Sequence, residues 1–178
     1  MSEPFVPLEP VREPRFVDRL EQPTAVVRAN AYPMADLPKL FDPAFQTLAT
    51  LMGERAFTPV GPAFALYHSQ PGETVDIEIG FPVESALEGP VERDDLVVEP
   101  STIPAARAAV QSHFGGYDGL WKAWPSLIDW ATAQGETPTF PFYEVYVTQP
   151  APDSDPETLR TDLVLPVEPE AVDFATRT

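Results

Sequence analysis

The sequence contains no cysteine. Disulfides, thiolate nucleophiles and cysteine-bound metals are thereby excluded. Histidine is nearly as scarce. His68 and His113 are the only two, and neither stands in HExxH or a comparable metal spacing. GxSxG, GxGxxG and the phosphate-binding P-loop are absent. No metal and no cofactor is expected. Basic residues are few: 11 Lys and Arg against 28 Asp and Glu give a formal charge of −17. Nucleic acid is bound by cations set against phosphate, so no direct nucleic-acid contact is expected. The acidic excess favours solubility and draws cationic ligands. No apolar run approaches the roughly 18 residues needed to span a bilayer. MSEPFVPLEPVREP lacks the basic stretch and apolar run of a secretory signal. No membrane partner is expected, and the cytoplasm is the default location.

What is present is enough apolar residue for a core: 43% of 178 residues. That length suits one domain or two small fused halves. Pro4, Pro7, Pro10 and Pro14 predict a flexible, extended N-terminal arm over residues 1–14. Residues 15–178 are read as a single domain.

Within the domain, residues 23–31 (PTAVVRANA) predict a strand. Leu37, Leu40, Phe41, Phe45, Leu48 and Met52 keep a helical period. Asp42-Pro43 predicts the start of the main helix as cap and first-position proline, with Gly53 as its stop. Residues 63–70 and 75–83 predict two further strands. The order then recurs. Residues 103–111 predict a strand, 117–134 a helix interrupted at Pro125, and 142–148 and 159–167 two strands, joined by a polar loop over 150–156.

The recurrence extends to residues. FALYHSQP (64–71) aligns with YEVYVTQP (143–150), placing Tyr67 on Tyr146 and Ala65 on Glu144. IEIGFPVE (77–84) aligns with TDLVLPVE (161–168), placing Glu78 on Asp162. An internal duplication changes the fold expectation. It predicts an α+β fold of two tandem β-α-β-β repeats, about 15–90 and 91–168. Their strands form one curved antiparallel sheet with helices on one face and a ligand groove between the halves.

Period-two alternation puts Phe142, Glu144 and Tyr146 on one face of their strand and Tyr143, Val145 and Val147 on the other. The second set is more uniformly apolar and is expected to face the helices. Glu144 then lies in a groove on the opposite face. A carboxylate among aromatics is costly unless partnered. Either it faces solvent, or it pairs with Arg107 or Arg160, or it awaits a ligand. Tyr32, Tyr67, Trp121, Trp124, Phe142 and Tyr146 are candidate walls. Trp124 follows the buried helical stripe and reads as core. Glu78 and Asp162 read as a solvated strand face or as added negative potential in the groove.

HFGGYDGLWKAWPSLIDWATAQG, FYEVYVTQP and ETLRTDLVLPVE, together with ALYHSQPGETVDIEIGFPVE in the first half, resemble the GyrI-like (DNA gyrase inhibitor-like) effector-binding domains over about residues 15–168. The resemblance implies tandem repeats with a cleft between them. In multidrug-sensing regulators of this family a buried glutamate in an aromatic pocket binds lipophilic cations, and Glu144, within Tyr143-Glu144-Val145-Tyr146, matches it. Some stand-alone members are hydrolases that open cyclopropane rings of DNA-alkylating natural products. That likeness implies Glu144 as the catalytic, water-activating group, with Tyr67, Trp121 and Tyr146 as positioning groups. The sequence departs from the regulators in having no helix-turn-helix or other basic module before the domain, so action on DNA itself is not expected.

Three readings follow. The first is a binder of hydrophobic small molecules, cations among them, with Glu144, Tyr67, Tyr146, Phe142, Trp121 and Tyr32 as ligand-binding residues. The second is a cyclopropanoid hydrolase using Glu144 as base. The third is a protein-interaction regulator, such as a gyrase inhibitor, whose acidic surface engages a protein partner.

Overall fold

A computed structural model describes residues 5–148, 153 and 155–169 of the chain. The Gln149-Pro150 end of the repeated motif, most of the loop after it, and Pro4 lie outside the described residues. The elements are β1 (Arg15–Arg19), β2 (Gln22–Pro33), α1 (Leu37–Gly53), β3 (Phe64–Tyr67), β4 (Thr74–Pro82), β5 (Val91–Arg93), β6 (Leu96–Ile103), β7 (Ala106–Phe114), α2 (Leu120–Ala133), β8 (Phe142–Tyr146) and β9 (Arg160–Pro166). All nine strands pair in one sheet, in the order β1-β7-β9-β8-β3-β4-β2-β6-β5, with every ladder antiparallel.

The expected α+β duplication is present. β2-α1-β3-β4 and β7-α2-β8-β9 are the two repeats, joined at the centre by the β3–β8 ladder. Three strands were not anticipated. β1 adds to β7 at the edge of the second half, and β6 adds to β2 in the first. β5 closes a hairpin onto β6 through Asp94 and Asp95, both at positive φ. Aspartate tolerates that conformation, which a two-residue hairpin turn needs. These strands are short or broken by proline and lack clean alternation, which is why the sequence pattern conceals them.

Both helices start differently from expectation. α1 begins at Leu37, after a 3-10 turn over Met34–Asp36, and runs through Pro43. Pro38 in its first turn is the proline that suits a helix start. The α1 stripe buries Leu40, Ala44, Leu48 and Leu51, and continuous burial outweighs the one hydrogen bond lost at Pro43. α2 likewise carries Pro125 internally and buries Leu120, Leu127 and Ala131. Gly135, at φ 87°, terminates α2 as expected, whereas Arg55 rather than Gly53 takes the left-handed position after α1.

The two faces of the sheet bury different layers. α1 packs on Ala25, Val27, Ala65, Tyr67, Ile77 and Ile79. α2 packs on Ala109, Leu163 and Leu165. The opposite face carries Val26, Phe64, Leu66, Val110, Tyr143, Val145 and Val164, and here it is covered by the N-terminal arm through Phe5, Val6 and Val11. The Phe5 ring stacks on Tyr143 with 6.3 Å between centroids. The Val11 N–H donates to Ser112 Oγ at 2.9 Å, and the Ser112 N–H donates to the Val11 carbonyl at 2.7 Å. Residues 5–14 therefore lie along the sheet.

This arrangement corrects the expected assignment of faces. Tyr143 and Val145 meet the arm, and Glu144 lies on the helix-bearing face. The more apolar set did mark a buried layer, but its cover is the arm, a segment without helical pattern.

Candidate ligand-binding site

Glu144 occupies the middle of β8, opposite Ala65 on β3 and Leu163 on β9. It is only 6% exposed. No cation pairs with it among the described residues. Arg107 pairs with Glu136 instead, and Arg160 with Asp162. The alternatives of solvation and of pairing with Arg107 or Arg160 are thereby set aside.

Its neighbours are aromatic. On β3, Tyr67 stacks on Phe142 with centroids 5.1 Å apart. From α2, Trp124 meets Phe142 at 4.8 Å. Tyr146 is enclosed edge-on by Phe41 (6.5 Å), Phe45 (6.4 Å) and Tyr117 (5.6 Å). The cluster thus spans both halves: Phe41, Phe45 and Tyr67 from the first, Tyr117, Trp124, Phe142 and Tyr146 from the second. It lies where the two helices flank the central ladder.

The electrostatics follow from burial. Loss of water pushes the Glu144 carboxyl up to about 7, opposed by hydrogen-bond donors on Trp124, Tyr146 and Tyr67 that favour its charged form. Burial, reinforced by the Glu144 charge, raises the Tyr67 and Tyr146 hydroxyls well above the ordinary tyrosine range. Tyr117 moves the same way for the same two causes. All three phenols therefore remain protonated at neutral pH. The Trp124 Nε1–H, although directed to this side, completes no hydrogen bond within the described chain, and neither does the buried Thr161 hydroxyl, opposite Tyr146 on β9. A buried donor without a partner costs about 1–3 kcal/mol, and one facing a site can be satisfied by what enters it.

Of the residues singled out from sequence, Glu144, Tyr67, Phe142 and Tyr146 are brought together. Trp121 and Tyr32 are not. Trp121 is 70% exposed on the outer side of α2, under the Lys122 ammonium. Trp124, three residues on, takes the inward position. Tyr32 sits on β2, three strands from β8, or about 14 Å at the usual strand spacing, and packs with the α1 core. Phe41, Phe45 and Tyr117 were missed. Phe41 and Phe45 read as an ordinary helical stripe, and Tyr117 as a turn residue. Glu78 and Asp162 are a further correction. Both face the arm side and are buried, not solvated. Glu78 pairs with Arg28 and His68, and Asp162 with Arg160 and Ser112. Among the described residues no cluster of His, Asp and Glu could hold a metal. No helix among them is long and apolar enough to cross a membrane.

Residues 12–168 match the GyrI-like small molecule binding domain. The chain belongs to that family. Among solved structures, the EcmrR C-terminal domain superposes with a TM-score of 0.71 at 22% identity, covering 88% of this chain and 97% of that one. The same protein in its DNA complex is longer, and the chain spans 57% of its length. SAV2435 bound to tetraphenylphosphonium matches at TM-score 0.64 and 12% identity, covering 88% of this chain and 94% of that one. A hydrolase encoded by lin2189 from Listeria innocua matches at 0.61 and 13%, covering 90% and 94%. At such identities the likeness is one of fold.

Proposed function

We propose that this small-molecule binding domain takes up hydrophobic cations in the aromatic cleft centred on Glu144, for sensing, sequestration or detoxification. The observation that carries the reading is a buried carboxylate with no cationic partner among the described residues, enclosed by aromatic rings contributed by both repeats. A buried anion without a counter-ion is costly. A lipophilic cation supplies the missing charge, and its apolar body fits ring faces that attract cations. The tetraphenylphosphonium in SAV2435 is a ligand of this chemistry on the same fold.

Tryptophan fluorescence with tetraphenylphosphonium and with neutral triphenylphosphine oxide tests it. Preferential binding of the cation, lost in Glu144→Gln, is the expected result. Equal binding of both, or a preference that survives the substitution, refutes the reading.

A second reading rests on one specific feature. A carboxyl held near 7 beside two phenolic donors is poised as a general base for water, with a hydroxyl to stabilise developing negative charge. In that reading the domain hydrolyses an electrophilic, strained small molecule such as a cyclopropanoid. Product analysis after incubation with such a compound decides it, since unchanged compound rules it out.

A further inference from the structure

On the arm-bearing face, the opposite side of the sheet from Glu144, lies a cavity of about 270 Å³. Its walls include Ile103, Ala106 and Ala108, with Tyr143 on β8 and Val164 on β9, and Arg19 stands at its edge. Arg19 and Ala106 are cross-strand partners in the β1–β7 ladder, which places them on one face. The Arg19 guanidinium is half-buried. It donates to the Phe5 carbonyl, lies 5.7 Å from the Phe5 ring centre, and sits beside the Tyr143 hydroxyl. All of these partners are neutral. Among the described arginines Arg160 is buried and Arg19 half-buried, while the others are more exposed. Arg160 is matched by a two-pronged contact with Asp162, at 2.9 and 2.8 Å. Arg19 has no carboxylate partner among the described residues. The other arginine at this cavity, Arg107, turns its head group away to Glu136 and the Phe16 ring.

In a chain of net charge −17, a partly desolvated guanidinium left without an anion beside an apolar cavity is an unmatched charge. A partly desolvated charge is best compensated by a counter-ion with hydrogen bonds, and guanidinium binds carboxylate in a fixed two-pronged geometry. We infer that this rear cavity is a second binding site, for a small amphipathic organic anion such as an aromatic or short aliphatic carboxylate, with the acid group on Arg19 and the apolar body against Tyr143, Ala108 and Val164. The volume, just below the range of drug-sized pockets, limits the occupant to about the size of a bicyclic acid. The site's preference is for charge opposite to that expected at Glu144, and it stands whether or not the front cleft binds cations.

Isothermal titration of the full chain with 2-naphthoate and its uncharged amide tests the inference. Naphthoate is expected to bind at least about tenfold more tightly, the ratio that one charge-assisted contact of ~1.4 kcal/mol supplies. Arg19→Met keeps the aliphatic stem and removes the charge, and it is expected to erase the preference. Ala106→Phe fills the cavity from the neighbouring strand and is expected to weaken both ligands with Arg19 intact. Excess tetraphenylphosphonium is expected not to displace naphthoate. Equal binding of acid and amide, indifference to both substitutions, or displacement by the cation overturns the inference.

Discussion

Ala65 faces Glu144 directly across the central ladder, and the sequence duplication makes the same two residues equivalents of one another. The pseudo-twofold axis of the domain therefore passes between a methyl group and a carboxylate. One repeat provides the charge, and the other sets a methyl group opposite it. Directly opposed β-carbons lie about 4.5–5.5 Å apart, so a larger side chain at 65 enters the space beside the carboxylate. Ala65 is fully buried, and overpacking there costs about 1–3 kcal/mol. Ala65→Leu is expected to lower the thermal midpoint, leave the far-ultraviolet circular dichroism unchanged, and reduce cation affinity at least tenfold. A variant that binds as wild type would show that the ligand does not approach this pair.

Cation binding should depend on pH in a set direction. With the apo carboxyl near 7, Glu144 is mostly protonated at pH 6 and mostly ionised at pH 8. A cation pairs with the ionised form, so each pH unit below 7 is expected to weaken tetraphenylphosphonium about tenfold, levelling above pH 8. Neutral triphenylphosphine oxide should show no such slope, and neither ligand should show it with Glu144→Gln. Titrations at three pH values decide this. A cation affinity flat from pH 6 to 8 would place the carboxyl's titration elsewhere.

The same shift makes Glu144 a burden on the unliganded fold. Its folded value of about 7 stands above the ordinary 4.5, so the folded state holds the proton more tightly. Below pH 4.5 the group is protonated in both states and costs nothing. Between 4.5 and 7 the unfolded chain ionises first, so stability falls as pH rises. Above 7 the loss is complete, at about 3 kcal/mol given ~1.4 kcal/mol per pKa unit. Glu144→Gln lacks this dependence. Urea denaturation should show the variant gaining about 2–3 kcal/mol on wild type between pH 5 and pH 8. A constant difference across that range would contradict the picture.

How much of this was legible beforehand turns on which residues signal locally. The duplication was readable because Tyr67 and Tyr146, and the two Pro-Val-Glu endings, repeat in register. Glu144 was readable because a lone acid breaks an apolar strand. The face it points to was not. Alternation says which residues share a face but not which cover each face receives, and the arm that covers Tyr143 carries no periodic pattern. The helix starts were misplaced because a proline was read as a boundary, while burial of Leu40 and Ala44 carried α1 through Pro43. Phe41 and Phe45 look like any core stripe until the other repeat is folded against them.

The exchange of tryptophan roles is directly testable. Trp124 is half-buried against Phe142 with its Nε1–H directed to Glu144, whereas Trp121 is 70% exposed. Trp124→Phe keeps a ring and removes the donor, so it is expected to raise the Glu144 carboxyl further and weaken cations several-fold through lost ring face and lost support of the charge. Trp121→Ala should change affinity less than twofold. Fluorescence quenching by ligand should persist in Trp121→Ala and fall sharply in Trp124→Phe. The reverse pattern would move the cleft to the outer side of α2.

The arm is fixed to the sheet by a buried polar cluster whose dependence on one residue can be measured. Arg160 donates to both Asp162 oxygens and to the Pro7 carbonyl at 3.0 Å. Ser112 donates to Asp162 Oδ1 at 2.6 Å and accepts from the Val11 N–H. Asp162 therefore orients both groups that hold the arm, and it is 5% exposed. Removing one member of a buried ion pair leaves the other charge uncompensated and typically costs about 3–5 kcal/mol. Asp162→Ala strands Arg160, so a loss of that size is expected in urea denaturation. Faster proteolysis within residues 5–14 and faster amide exchange at Val11 and Ser112 should accompany it. Arg160→Met/Asp162→Leu removes both charges and should recover much of the stability, because a neutral pair leaves no uncompensated ion. It should not restore slow exchange at Val11, since Ser112 still lacks its acceptor. If the double substitution proves as unstable as the single one, the loss comes from the polar cluster itself, which positions the arm through Arg160 and Ser112, and not from a stranded charge.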